Sequence, residues 1–175
     1  MLLTILGVLV ILVIAAPAVA ASRPDSFRVE RSIVVNAPPD RLFPLVDDFR
    51  AWGSWSPWEK LDPALKRTHS GEAKGKGAVY AWEGNPKVGS GRIEILEAAP
   101  PLRLLIKLDF LKPFEAHNLG EFTFAPEGTS SRVTWTMTGP QAFPMKVMSL
   151  FMNMDRMVGK DFEKGLASMK EIAER

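Results

Sequence analysis

Pro101-Leu102-Arg103-Leu104-Leu105-Ile106-Lys107-Leu108-Asp109-Phe110 is the stretch on which the fold turns. Leu102, Leu104, Ile106, Leu108 and Phe110 share one side of a two-residue period, and Arg103, Lys107 and Asp109 fall on the other. An extended chain sends successive side chains to opposite faces, so this pattern predicts a strand with one buried face. Upstream, Gly91 to Ala98 and Gly77 to Glu83 read the same way across a Gly84-Asn85-Pro86-Lys87 connection, with a short strand at Lys66 to Ser70. Downstream, His117 to Phe124 and Arg132 to Thr138 follow, separated by a Pro126-Glu127-Gly128-Thr129 turn. The first strand lies near the start, where Phe27, Val29, Ile33 and Val35 alternate with polar residues; Arg31 interrupts their apolar face.

Between the first two strands the period is helical. Asn36-Ala37-Pro38-Pro39-Asp40 stops the strand and opens a helix with proline in its first turn. Leu42, Val46 and Phe49 share one helical face, and Pro44 must shorten or kink the helix because it lacks an amide proton. Trp52-Gly53-Ser54-Trp55-Ser56-Pro57-Trp58 then places three indoles within seven residues. From Pro144 to the end, Met148, Phe151, Met152, Asp155, Val158, Phe162, Leu166, Met169 and Ile172 recur every third or fourth residue. That spacing predicts one long amphipathic helix. Gly159 and Gly165 inside it cost about 1 kcal/mol each relative to alanine and fit a helix lying close to a sheet.

One strand, short helices, about six further antiparallel strands and a closing helix make an α+β chain. A sheet of that width curls, and one helix cannot cover its whole concave face. What remains is a cavity or a filling of large side chains.

Composition narrows the chemistry. The 175 residues carry 22 basic and 20 acidic side chains, interspersed, for a net charge of +2. No basic stripe marks a nucleic-acid binder. Cysteine is absent, which excludes disulfides, thiolate metal ligands and cysteine nucleophiles. The two histidines, His69 and His117, are far apart in sequence, so no metal or cofactor is expected.

Residues 1–22 hold no charged side chain, and residues 2–21 just reach the roughly 20 residues needed to cross a bilayer. A cleaved signal peptide would use Ala18-Val19-Ala20, which leads to a secreted or periplasmic protein, but the usual basic leader is missing. An uncleaved single-pass membrane anchor needs none and is the preferred reading. Arg23, Arg28 and Arg31 follow the segment and none precedes it, which favours a cytoplasmic domain. The expected organisation is an anchor or signal at 1–22, a linker at 23–26 and a domain at 27–175.

Taken together, Val34-Val35-Asn36-Ala37-Pro38-Pro39-Asp40 with Leu45-Val46-Asp47-Asp48, the tryptophan cluster, Gly77 to Asn85, Val88-Gly89-Ser90-Gly91 and Asp161 to Ala167 resemble the START-like (SRPBCC) superfamily, in its polyketide cyclase/dehydrase-type branch. The resemblance spans roughly residues 27 to 173. It implies a helix-grip fold: a curved antiparallel sheet of about seven strands wrapped on the C-terminal helix, with two short helices after the first strand. It also implies a pocket for a lipid or other hydrophobic small molecule. Such folds also include cyclase-type enzymes and co-chaperone-like regulators, so enzyme and protein-interaction readings stay open.

Within that frame Met148, Met152 and Phe162 are the cavity candidates on the helix, with Trp82, Phe110 and Trp135 opposite them. His117 is the candidate polar anchor, set against an ordinary exposed strand end. The indoles of 52–58 read as a packing plug before a ligand stack, since buried aromatics dominate core energetics. No catalytic residue is assigned. An acid or base would come from Glu83, Arg103, Asp109, Glu115 or His117, while Asp47, Asp48, Glu59 and Asp62 fall in loops where solvated surface is the expectation.

Overall fold

The structure is a computed structural model and describes residue 17, residues 19–150 and residues 153–175. The expected membrane segment therefore lies almost wholly outside the described residues, as does Met152. Among the described residues no helix is long and apolar enough to cross a membrane.

Seven strands form one antiparallel sheet: β1 Ser26–Val35, β2 Lys66–Gly71, β3 Ala78–Glu83, β4 Ser90–Ala99, β5 Arg103–Lys112, β6 Ala116–Glu127 and β7 Ser130–Pro140. Their order is β1-β7-β6-β5-β4-β3-β2, a meander whose first strand closes the far side of the last. Pairing of Ile95 with Ile106 and of Leu104 with Phe122 stacks the inward residues of neighbouring strands into continuous rows. The curved face they build is the apolar half of the alternation seen in the sequence.

Two four-residue helices follow β1, α1 Pro39–Leu42 and α2 Pro44–Asp47. Each begins on a proline, so Pro44 divides the expected helix into two turns. A 3-10 turn at Phe49–Ala51, helix α3 Trp52–Trp55 and a second 3-10 turn at Pro57–Lys60 complete the connection. The indoles of Trp52 and Trp55 donate to the carbonyls of Val46 (3.1 Å) and Leu45 (2.7 Å) of α2, and both rings are buried edge-on against Phe122 of β6, which ties the short elements to one another and to the sheet. They act as the plug.

The C-terminal part departs from the single helix that the period predicts. α4 Phe143–Met148 ends at Ser149, and α5 Met154–Ala173 starts afresh. Asn153 has extended backbone angles, and its side-chain oxygen accepts from the amide of Arg156 at 2.9 Å. An asparagine that satisfies a free helix-start amide competes with helix continuation, and the apolar period conceals the break.

α5 packs mainly along β1 and buries Phe162, Leu166, Met169 and Ala173. Arg31, the residue out of pattern on β1, faces this helix. It reaches Asp155 at 2.9 Å and Glu163 at 2.7 Å, and its guanidinium crosses α5 at Gly159. The ion pairs drive the Arg31 pKa further up and the Asp155 pKa down. Asp155, which the period set on the apolar face, is exposed and serves this pairing.

A β-carbon on Gly159 would lie 2.0 Å from Nη2 of Arg31, so the glycine provides the crossing point. In an ordinary helix Gly→Ala gains about 1 kcal/mol. Here we expect Gly159→Ala to lower stability by roughly 1–2 kcal/mol, and to become stabilising once Arg31→Ala removes the guanidinium. Urea unfolding of the two single variants and the double variant checks this; additive effects would show that Arg31 does not sit over the helix.

Candidate functional site

Beneath the first half of α5 the concave face is not filled. A cavity of about 250 Å³ remains, walled by Tyr80 and Trp82 of β3, Ile93, Ile106, Leu108 and Phe110 of β4 and β5, and Trp135 and Met137 of β7. Its roof is Met157, Val158, Asp161 and Phe162, with Trp58 to one side. Glycine makes part of the room: Gly120 lines the wall, and a β-carbon there would lie 2.8 Å from Ile106.

Aromatic packing sets the edges. Phe162 stacks on Trp135 with ring centres 3.9 Å apart and planes 4° from parallel, and Trp58 meets both rings edge-on. Trp82 lies over Gly91, where a β-carbon would lie 2.4 Å from the indole, and meets Phe110 edge-on at 5.8 Å.

Asp161 in the roof and one hydrogen-bonded cluster at the side interrupt the apolar lining. The hydroxyl of Tyr80 donates to Glu59 Oε1 at 2.5 Å, and Arg67 Nε donates to Glu59 Oε2 at 2.7 Å. The Glu59 side chain is only 8% exposed although it stands in the short 3-10 turn Pro57–Lys60. Burial first, and then the hydrogen bond to the Glu59 carboxylate, pushes the Tyr80 hydroxyl well above its ordinary pKa. The phenol therefore keeps its proton at any physiological pH. Ser56 is the other small polar group in the wall.

Four of the residues singled out from the sequence, Trp82, Phe110, Trp135 and Phe162, line this cavity together. Met148 does not; it is 42% exposed and borders a separate groove of about 50 Å³ with Phe27, Met145, Met154 and Met157. The reason is the break after α4, which takes Met148 off the face that α5 presents to the sheet.

His117 is also elsewhere. Asn118, Gly120, Phe122 and Phe124 point inward on β6, so His117 points outward, with a side chain 56% exposed. There its Nδ1 lies 2.7 Å from Asp109, and its Nε2 lies 3.3 Å from Glu115. Among the described residues no three His, Asp or Glu side chains are gathered to hold a metal.

Asp47, Asp62 and Glu59 were all expected in solvent, and all three carboxylates are drawn into the structure. Asp62 accepts from the amides of Ala64 and Asn85, and burial raises the Asp47 pKa. Tyr80 shares strand parity with Trp82, which is the sequence signal for its inward position. Glu59 carried no periodic signal at all.

The chain belongs to the polyketide cyclase / dehydrase and lipid transport family, whose pattern matches residues 26–174. No curated protein matches it in sequence. Solved structures share its fold at low identity. CV1439 from Chromobacterium violaceum superposes with a TM-score of 0.60 at 16% identity, covering 87% of this chain and 99% of that one. The Aha1 dimer from Colwellia psychrerythraea gives 0.60 at 13%, covering 85% and 96%. The di-domain ARO/CYC BexL from the BE-7585A biosynthetic pathway gives 0.64 at 13%, covering 90% of this chain and 53% of that one. This chain thus spans about half of BexL.

Outside the cavity, the hydrogen bond to Asp109 raises the His117 pKa. Burial alone would raise the Asp109 pKa, but hydrogen bonds from His117 and Lys107 outweigh it and hold it low. The pair's stabilisation is therefore complete between Asp109's ordinary 3.8 and His117's ordinary 6.5, fades as pH climbs through the raised His117 value, and is lost again as pH falls through the lowered Asp109 value. An NMR titration should place His117 above 6.5, and Asp109→Asn should bring it back towards that value. An unshifted wild-type imidazole would remove the pair.

Proposed function

We propose that this domain takes up a compact hydrophobic molecule in the cavity beneath α5, and that its apolar N-terminal segment tethers it to a membrane. The observation that carries the binding reading is the cavity itself: apolar walls, with one buried hydrogen-bonded cluster at the side. Ligand sites commonly combine apolar walls with a few fixed polar groups. The family's lipid-transport and cyclase members agree with a hydrophobic ligand. The tether rests on the apolar run of residues 2–21, long enough to span a bilayer and followed by Arg23 and Arg28.

Volume restricts the ligand. Pockets for drug-sized molecules run to about 300–1,000 Å³, and 250 Å³ falls just short of that. A single acyl chain or a small ring system fits; a whole two-chain phospholipid does not. The Glu59 carboxylate already accepts from Tyr80 and Arg67 and has lone pairs to spare. It therefore favours a ligand with one hydroxyl or amine donor among apolar groups, oriented with that donor towards β3.

The second reading is a cyclase or dehydratase, favoured by the same pair and by the ARO/CYC relatives. In this reading the Tyr80 hydroxyl would swing its one proton from Glu59 to a carbonyl of the substrate, leaving the Glu59 carboxylate to accept the substrate's proton. Binding requires only the walls; catalysis requires the pair.

Native mass spectrometry of the full chain from membranes, with extraction and identification of what it carries, tests both. We expect a co-purifying hydrophobic species, lost in Leu108→Trp, which fills the cavity. Glu59→Gln should weaken binding about 10-fold, the cost of roughly one charge-assisted hydrogen bond. An empty chain that takes up no fatty acid or sterol probe would overturn the binding reading. Turnover of a polyketone-type substrate, lost in Glu59→Gln with binding retained, would establish the enzyme instead.

A further inference from the structure

The register of the sheet gathers several features at one end. Glu83 pairs with Ser90, Phe110 with Ala116, and Ser26 with Pro140, so the β3–β4 turn, the β5–β6 turn, the start of β1 and the chain leading into α4 all lie together. This is also the end where Val88, Phe110 and the exposed Met157 edge the cavity. The two turns touch: a β-carbon on Gly89 would lie 3.3 Å from Pro113.

The exposed apolar side chains concentrate here. Leu111, beside Lys112 at the end of β5, and Phe114, in the β5–β6 turn and 77% exposed, stand uncovered, as do Phe143, Met148 and Met157 on α4 and α5. The methionine groove lies between these two helices and Phe27. Flexible thioethers around an open groove suit a soft, variable partner. Leu102, also half exposed, stands at the opposite end in the β4–β5 turn.

The chain joins the domain at this same place. Lys146 of α4, its side chain buried, donates to the carbonyl of Arg23 at 2.9 Å and to Asp25 at 2.5 Å, and the amide of Gln141 donates to the Asp25 carbonyl at 2.7 Å. Arg23 and Asp25 are therefore fastened to α4 and the chain before it, and residue 23 is the point at which the apolar stretch 2–21 is joined to the domain.

We propose that this end is a docking face for the lipid bilayer, with Leu111 at the end of β5, Phe114 of the β5–β6 turn and Met148 of α4 entering the interface and the cavity opening onto the membrane. It rests on the tethered, ligand-binding reading above. Two exposed apolar residues around a lysine match what an interface takes: apolar groups in the acyl boundary and cations at the headgroups. The tether ends only a few residues from α4, so it cannot hold this end far from the surface. A ligand then passes between bilayer and cavity without crossing water.

The absence of native cysteine allows single-site labelling of the full chain. Phe114→Cys, Met148→Cys and Leu102→Cys would each carry an environment-sensitive fluorophore, in detergent-free phosphatidylcholine–phosphatidylglycerol vesicles. We expect blue-shifted emission, several-fold brighter, at 114 and 148, quenched by brominated acyl chains, and water-like emission at 102. Chains that resist carbonate extraction while 114 and 148 stay water-like would overturn the docking face and leave the tether intact. Chains that wash off the vesicles would overturn both. Emission that rises with protein density, unaltered by brominated lipid, would show a second copy on this face and overturn the membrane as its occupant.

Discussion

Phe162 lies flat on Trp135, and the placement of the long helix depends on that stack. Trp135 is itself held between Trp55, Trp58 and Phe122, so the helix docks on an aromatic block anchored to both the sheet and the short helices. Truncating a buried aromatic of this kind costs about 3–5 kcal/mol, well above what a partly exposed ion pair contributes. The stack thus sets how closely α5 approaches, and the Arg31 pairs with Asp155 and Glu163 set its rotation. Gly165 permits the approach: a β-carbon there would lie 3.0 Å from the Trp135 ring. Beyond the stack towards the N-terminus of α5 the roof thins to Met157 and Val158, and the cavity lies under them.

Much of this fold was legible because burial on a strand has a two-residue period. Leu104, Ile106, Leu108 and Phe110 identified β5, and the same parity located its neighbours. Local rules also carried the two turns after β1, since a proline acts on its own backbone wherever it sits. The helix break was hidden for the opposite reason. The apolar residues between Met148 and Val158 keep the helical spacing in sequence, and the Asn153 cap marks where α5 starts afresh. A cap depends on which neighbouring amides are free, and that is settled by the tertiary path of the chain. Arg31 was visible as an anomaly, but its partners lie more than 120 residues away and no local pattern could supply them.

The candidate site divides along the same line. Trp82, Phe110, Trp135 and Phe162 were accessible because each is a large apolar residue at an inward position of a regular element. His117 could have been excluded by counting: it is one residue out of step with Asn118, Gly120 and Phe122. Glu59 lay beyond such reasoning. Its turn has no period, and its burial follows from Tyr80 and Arg67 on two other elements closing over it.

The Tyr80–Glu59 pair gives the cavity a fixed polar side. An apolar hollow alone would accept any apolar shape in any orientation, since the hydrophobic effect is non-directional. A buried carboxylate must be hydrogen-bonded or it forfeits several kcal/mol, and Tyr80 and Arg67 meet that need without a ligand. The pocket is therefore stable when empty, and the Tyr80–Glu59 geometry is fixed before anything enters. A ligand with no donor leaves this arrangement undisturbed and binds by its apolar surface alone. A ligand with one donor adds a third hydrogen bond to an acceptor already in place, with little ordering left to oppose it. On the proposed binding reading, selectivity would come from how a guest's polar group meets Glu59, while the walls of tryptophan, phenylalanine and methionine would set how much of the guest is admitted.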